Sequence, residues 1–451
     1  MAQTNPRAHL FESMPIPKAV AQLSIPMVVT SLVMVLYNLA DTFFVGMLND
    51  PIQNAAVTLA YPVMLAFNAV NNLFGVGTSS MMSRSLGAGD HEKVRTSSAF
   101  GFYGAVFSGL LFALLCAVFE SPLLSLLGAD ASTRKVTGDY MFWTVTCGAM
   151  PAILNVVQAQ MVRAEGASLH ASIGTMSGCV LNILLDPIFI LPWGLNMGAA
   201  GAGLATFISN CFACGYFFLL PRLKKGGTFV CLDIRRLKML NRDVVLGILG
   251  VGIPTSIQNL LNVTGSTILN NFTAVYGAAA VAAMGVAHKI NMLPLQITMG
   301  FSQGIMPLVS YNYASGNRKR MKDSILFAGG IITPIMLLVT LGYWLGAPGL
   351  IRLFMDNAEI VTLGSAFLRG MCLGMTFMAI DFMAVGVFAS LGMGKRALTF
   401  AILRKVVLEI PLLFILNALF PLYGLAYAQA ITEFCLAAAA IVMLLKIFRQ
   451  N

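Results

Sequence analysis

Apolar runs of about 20 residues or more recur along this chain, and no other feature restricts its fold as much. They fall at 19–47, 53–82, 98–119, 136–158, 168–191, 198–220, 244–272, 278–308, 324–345, 362–391, 397–419 and 422–447, divided by Gly, Pro, Asn or charged residues. A helix of about 20 apolar residues crosses the hydrocarbon core of a bilayer. The longer runs must tilt, bend or project beyond it. Lipid offers backbone N–H and C=O groups no partner, so such runs are expected to be helical. Composition agrees. Of 451 residues, 58% are hydrophobic and only 10% charged, whereas a soluble domain carries about 25% charged residues. The expected fold is an all-α integral membrane protein with twelve transmembrane helices.

The net charge of +10 does not point to nucleic acid, because the bases sit in short clusters between apolar runs. They report sidedness instead. Lys18, Arg84, Lys93, Arg95, the run from Arg222 to Arg242 (with Lys224 and Lys225), Arg318 to Lys322, and Lys395-Arg396 share the side that holds both termini. Arg134, Lys135 and Arg352 fall on the other side, and Lys289, Arg369, Arg404 and Lys405 lie within spans. Both termini are therefore expected in the cytoplasm, with the protein in the plasma (inner) membrane. Residues 1–18 are polar and run into a span too long for a cleavable signal. The eight cysteines form no disulfide framework, and Cys211-Phe-Ala-Cys214 lies inside an apolar run, where it reads as packing.

The chain repeats itself. Ile25-Pro26 recurs as Ile253-Pro254, 228 residues on; Phe74-Gly-Val-Gly77 recurs as Phe301-Ser-Gln-Gly304, and Gly89-Asp90 as Gly316-Asn317, both at 227. Gly148 and Gly374, like Asn155 and Asp381, are 226 apart, and Gly166 and Gly394 are 228 apart. A nearly constant offset over most of the chain marks a duplication. We expect an N-terminal six-helix lobe at 1–220, a basic cytoplasmic linker at 221–243 and a C-terminal six-helix lobe at 244–451. Six helices per repeat insert both halves the same way, and two similar lobes suit alternating access around a site.

Ionisable and polar groups inside spans are the candidate site residues, because a charge there costs about 2.5 kcal/mol or more. At about 1.5 Å per residue, Asp41 lies about 12 Å below the outer boundary and Asp186 about 8 Å below it. Asn182 is one turn deeper than Asp186 on the same face. Thr206 reaches about the depth of Asp41, and Tyr37, one turn from Asp41, can cap the group. Oxygen ligands suit a hard cation such as Na⁺. Two carboxylates in one low-dielectric site suit proton exchange. The bland alternative is hydrogen bonding between helices. In the second half Lys289, Asp381, Glu409 and Glu433 fall near the midplane. They read either as Lys289 paired with an acid or as a cation-attracting cavity surface. Arg404 and Lys405 are expected to snorkel toward the cytoplasm.

Enzyme chemistry finds no foothold. Gly300-Phe-Ser-Gln-Gly304 fits a nucleophile-elbow pattern, but no strand precedes it. His9, His91, His170 and His288 lack metal-ligand spacing, and no Walker A sequence occurs. No cofactor is expected.

The chain resembles multidrug and toxic compound extrusion (MATE) transporters of the DinF-like branch. The resemblance rests on Ile25-Pro26 with Tyr37-Asn-Leu-Ala-Asp-Thr-Phe-Phe-Val-Gly46, on Arg163-Ala-Glu-Gly166, and on Leu181-Asn-Ile-Leu-Leu-Asp-Pro187 with Gly201-Ala-Gly-Leu-Ala-Thr206. Gly304-Ile-Met-Pro307, Tyr311-Asn312 and Gly316-Asn-Arg318 extend it into the second half. It implies two pseudo-symmetric six-helix bundles around a V-shaped cavity. It also implies export of organic cations and amphipathic drugs in exchange for H⁺ or Na⁺. By resemblance, Asp41, Asn182, Asp186 and Thr206 form the coupling site, with Asn155 beside it, and would hold Na⁺ if that is the ion. Asp381 matches an acid used by other branches. The sequence departs at Met34, where some relatives are polar, and span 7 offers Asn259, Asn262 and Asn270 where another branch has an acid. The competing expectation is a flippase for a lipid-linked glycan. Small-molecule drugs and the lipid bilayer are the expected partners, and the protein is expected to be a monomer.

Overall fold

The computed structural model describes residues 8–223 and 227–450. Residues 1–7 of the polar N-terminus, and Lys224 and Lys225 of the expected linker, lie outside the described residues. No strand occurs among those described. The first half folds as α1 (Ile16–Gly46), α2 (Pro51–Asn71), α3 (Gly77–Gly87), α4 (His91–Val118), α5 (Glu120–Leu126), α6 (Arg134–Met141), α7 (Ala149–Ala164), α8 (Ser168–Ile190) and α9 (Ala199–Leu223). The second half folds as α10 (Arg242–Ala274), α11 (Ala278–Ala314), α12 (Arg318–Arg352), α13 (Ala358–Cys372), α14 (Met375–Ser390), α15 (Gly394–Ile402), α16 (Ile410–Leu419) and α17 (Gly424–Gln450).

All twelve expected spans are present among the described residues. Nine helical stretches are long and apolar enough to cross unaided. Two more are bent pairs: α6–α7 turns by 46° and α13–α14 by 44°. The twelfth is α15–α16, carried through by a wide π-helical turn at Leu403–Glu409. Lys395, Arg396, Arg404, Lys405 and Glu409 make it polar for a span.

The duplicated residues have matching structural jobs. Gly148 and Gly374 sit at the two bends. Gly89 and Gly316 turn the chain at φ 75° and 78°, where a side chain would be strained. Asp90 and Asn317 then cap the following helices, accepting from the backbone N–H of Lys93 at 2.9 Å and of Arg320 at 3.1 Å. The partner of Gly166 is not Gly394. Gly166 has φ 85° and Gly392 has φ 73°, which restores the 226-residue offset of the two bends.

The compact units are not the two sequence halves. One unit, the N-terminal unit, is Val29–Ser256. The other, the C-terminal unit, joins residues before Val29 to Ile257–Asn451. So α1 begins in the C-terminal unit and ends in the N-terminal one, and α10 does the reverse. The exchange points, after Val28 and after Ser256, again differ by 228. Close approach at two repeated glycines fastens the exchanged segments. Within the N-terminal unit, a Cβ on Gly77 would lie 2.4 Å from the carbonyl oxygen of Ile248 on α10. Within the C-terminal unit, a Cβ on Gly304 would lie 2.5 Å from Cα of Ser24 on α1. Because that obstacle is backbone, Gly304→Ala is expected to destabilise the protein by about 1–3 kcal/mol. A lower thermal unfolding midpoint in detergent checks it; an unchanged midpoint rules out tight packing there.

Near its start the chain is tied into the C-terminal unit. A π-helical turn at His9–Ser13 buries Phe11, which stacks on Tyr311 at 4.7 Å. Arg320 donates to the carbonyls of Phe11 at 2.6 Å and Met14 at 2.5 Å, and the Tyr311 hydroxyl donates to Glu12 at 2.5 Å. The expected linker region is likewise held to the N-terminal unit. Glu165 accepts from the Phe229 backbone N–H at 2.8 Å, and Tyr103 donates to the Leu232 carbonyl at 2.8 Å.

Candidate ion-coupling site

Three helices of the N-terminal unit each present a pair of polar residues four apart, and therefore on one face. These are Tyr37 and Asp41 on α1, Asn182 and Asp186 on α8, and Thr206 and Asn210 on α9. Asn182 and Asp186 are fully enclosed, at 1% and 0% exposure. In the orientation that satisfies its neighbours, the Asn182 amide donates to Asp186 Oδ2 at 3.0 Å. Its oxygen accepts from the Thr206 backbone N–H at 3.0 Å and from the Thr206 hydroxyl at 3.3 Å. The Tyr37 hydroxyl reaches Thr206 Oγ1 at 3.5 Å. A chain of hydroxyls and an amide thus runs from α1 through α9 to the Asp186 carboxyl.

Each acid keeps one oxygen for something else. Asp41 Oδ1 and Asp186 Oδ1 are enclosed and have no hydrogen-bond partner among the described residues. Such groups are uncommon in native proteins and call for a ligand, a proton or water. A cation or proton bound at such a carboxyl offsets the cost of holding its charge away from water.

Asn155 on α7 joins indirectly, donating to Asn210 Oδ1 at 3.3 Å. Sequence reading missed Asn210, although its spacing from Thr206 repeats that of the other two pairs. It also missed Tyr140 at the end of α6. That residue is 4% exposed and lies within electrostatic reach of Asp41, Tyr37 and Asp186. No signal in the sequence marks it, since the bend at Gly148 determines where α6 points.

The charged residues of the C-terminal unit are arranged differently from expectation. Arg404 does not snorkel: it is 3% exposed and ion-paired with Asp381. Its Nε also lies 3.2 Å from Glu433 Oε1. Lys405 pairs with Glu409 at 2.7 Å. The acids' basic partners are thus Arg404 and Lys405, not Lys289, which is exposed on α11. Asp381 and Glu433 are 1% and 2% exposed, so in this structure they face Arg404 rather than an open cavity. Gly265 on α10 leaves room for the second pair, since a Cβ there would lie 3.0 Å from Lys405 Cδ. Among the described residues, no group of three or more His, Cys, Asp or Glu side chains is placed to hold a metal ion.

The MatE family profile matches this chain twice, at residues 26–188 and 254–415. The chain belongs to the MatE family. The two matches begin at Pro26 and Pro254, at the 228-residue offset of the internal repeat. Among curated proteins, the multidrug export protein MepA of Staphylococcus aureus strain MRSA252 is 34% identical over 440 residues, covering 96% of this chain and 95% of that one. MepA of Staphylococcus haemolyticus strain JCSC1435 is 33% identical over 427 residues, with 94% and 92% covered. Among solved structures, an outward-facing multidrug resistance MATE transporter of the MOP superfamily superposes with a TM-score of 0.92 at 26% identity, covering 98% of this chain and 99% of that one. A MATE protein in complex with MaL6 gives 0.91 at 26% identity, with 99% and 100% covered. A MOP superfamily transporter from Pyrococcus furiosus, described as having a binding pocket of reverse polarity, gives 0.90 at 26%, with 99% of each covered. This MatE protein is thus a multi-pass membrane transporter of twelve helices.

Proposed function

We propose that this MatE transporter is a secondary antiporter that exports organic cations and amphipathic drugs from the cytoplasm in exchange for H⁺ or Na⁺. Asp41, Asn182, Asp186 and Thr206 bind the coupling ion, supported by Tyr37 and Asn155. One observation carries the reading: among the described residues, a carboxyl on α1 and one on α8, Asp41 and Asp186, each hold an enclosed oxygen without a protein hydrogen-bond partner. The names of the similar MepA proteins support drug export. The protein acts as a monomer in the plasma membrane with both termini cytoplasmic, and it catalyses no covalent chemistry. The six-helix halves at 1–220 and 244–451 remain the units of duplication.

Dye efflux from proteoliposomes, driven separately by a pH gradient and by a Na⁺ gradient, tests this. Ethidium is expected to move against its gradient with at least one of the two. Movement with neither overturns the reading, and translocation of a lipid-linked glycan without dye efflux replaces it with a flippase.

A further inference from the structure

Five ionisable side chains meet inside the C-terminal unit, and their charges do not balance. Asp381 on α14, Glu433 on α17 and Glu409 in the wide turn are acids; Arg404 and Lys405 in the same turn are the bases. Lys405 and Glu409 satisfy each other, one turn apart. That leaves a single guanidinium for two carboxylates. Arg404 is ion-paired with Asp381 Oδ2, while its Nε lies 3.2 Å from Glu433 Oε1 and its Nη2 3.4 Å from Glu433 Oε2. The Phe382 ring lies 4.4 Å from the guanidinium carbon. All three charged groups are buried. The other titratable group nearby, His288 on α11, interacts with Lys405 and Glu409.

Among the described residues, one negative charge in this cluster therefore has no counter-ion of its own. Holding it there is costly, and two carboxylates sharing one site cannot both ionise cheaply. We infer that Asp381 and Glu433 form a second protonatable site, in which one exchangeable proton is shared by two carboxylates bridged by Arg404. The guanidinium stands where a metal cation would have to sit, so the site takes H⁺ and refuses Na⁺. It makes the packing of α14, the Leu403–Glu409 turn and α17 responsive to pH. Its existence does not rest on the coupling site of the N-terminal unit.

The C=O stretch of protonated carboxylic acids, read by infrared spectroscopy on the full chain in lipid nanodiscs near neutral pH, tests this. The expected result is a band that disappears in Glu433→Gln and equally in Asp381→Asn. Either variant leaves one carboxylate opposite Arg404, and the need for a proton goes. The two read the same quantity, so failure of one to fold leaves the other. The band is expected to persist when Na⁺ is added, in His288→Gln, and in Asp41→Asn and Asp186→Asn. A band of wild-type intensity in either Glu433→Gln or Asp381→Asn overturns the inference. So does its loss on adding Na⁺ or in His288→Gln. Dye efflux in the same preparations reports separately on the proposed antiport, so the two ideas fail on different readouts.

Discussion

Asp186→Asn is expected to reduce ion-driven dye efflux to the leak of empty vesicles while leaving the protein folded. The substitution is almost isosteric and sits at a position with 0% exposure. The contact with Asn182, at 3.0 Å, can survive because an amide oxygen also accepts. What disappears is the exchangeable charge beside Asp41. A neutral amide binds a proton negligibly at physiological pH and a monovalent cation weakly, so the gradient no longer has a handle. Asp41→Asn should behave alike, because Asp41 Oδ1 is likewise an enclosed carboxylate oxygen without a protein hydrogen-bond partner among the described residues. Thr206→Val, which removes a hydroxyl but no charge, should instead slow efflux without abolishing it. Initial rates in proteoliposomes check all three, and wild-type rates in both aspartate variants would sink the site.

The largest effect on stability is expected from Arg404→Ala. It would leave Asp381 and Glu433 buried with no cation between them. Removing one partner from a buried ion pair costs about 3–5 kcal/mol, and here two acids lose the same partner. Part of that loss is relieved when the acid left ionised also takes up a proton, so the variant should become less unstable as the pH falls. Adding Asp381→Asn and Glu433→Gln should restore much of the unfolding temperature, since an uncharged interior needs no counter-ion. An Arg404→Ala protein that unfolds at the wild-type temperature would show that the pairing contributes nothing. The double-mutant logic is needed because the three side chains form one network and their effects are not additive.

The spans were legible because lipid makes a simple demand: enough apolar residues in a row to cross it. Even the span carrying Arg404, Lys405 and Glu409 could be read from its length. The polar cluster proposed as the coupling site was legible because its members are polar at similar depth on separate helices, and depth follows from counting residues. Arg404 was misread for a related reason. Counting gives depth but not direction, and the wide turn at Leu403–Glu409 that turns this side chain inward has no clear mark in the sequence. Asn210 and Tyr140 depend on how α7 and α9 meet and on the bend at Gly148. Gly166 was paired two residues too far along because glycine is common, and only its positive φ identifies Gly392 as its counterpart. The exchange of α1 and α10 between units was invisible, because a repeat offset says which segments correspond and not which unit each one packs into.

That exchange has a consequence for biosynthesis. The chain is made from its amino end, yet the N-terminal unit includes the start of α10 and closes only at Ser256. The opening turns of α1 belong to the unit that is translated last, and Gly304, against which Ser24 packs, is made 280 residues after it. A ribosome that has finished six helices has finished neither unit. The first segment inserted must wait, without its final neighbours, for the second half of the gene to be read. Neither half-gene alone encodes a complete packing unit, so the duplicated ancestor of this fold has become one indivisible chain.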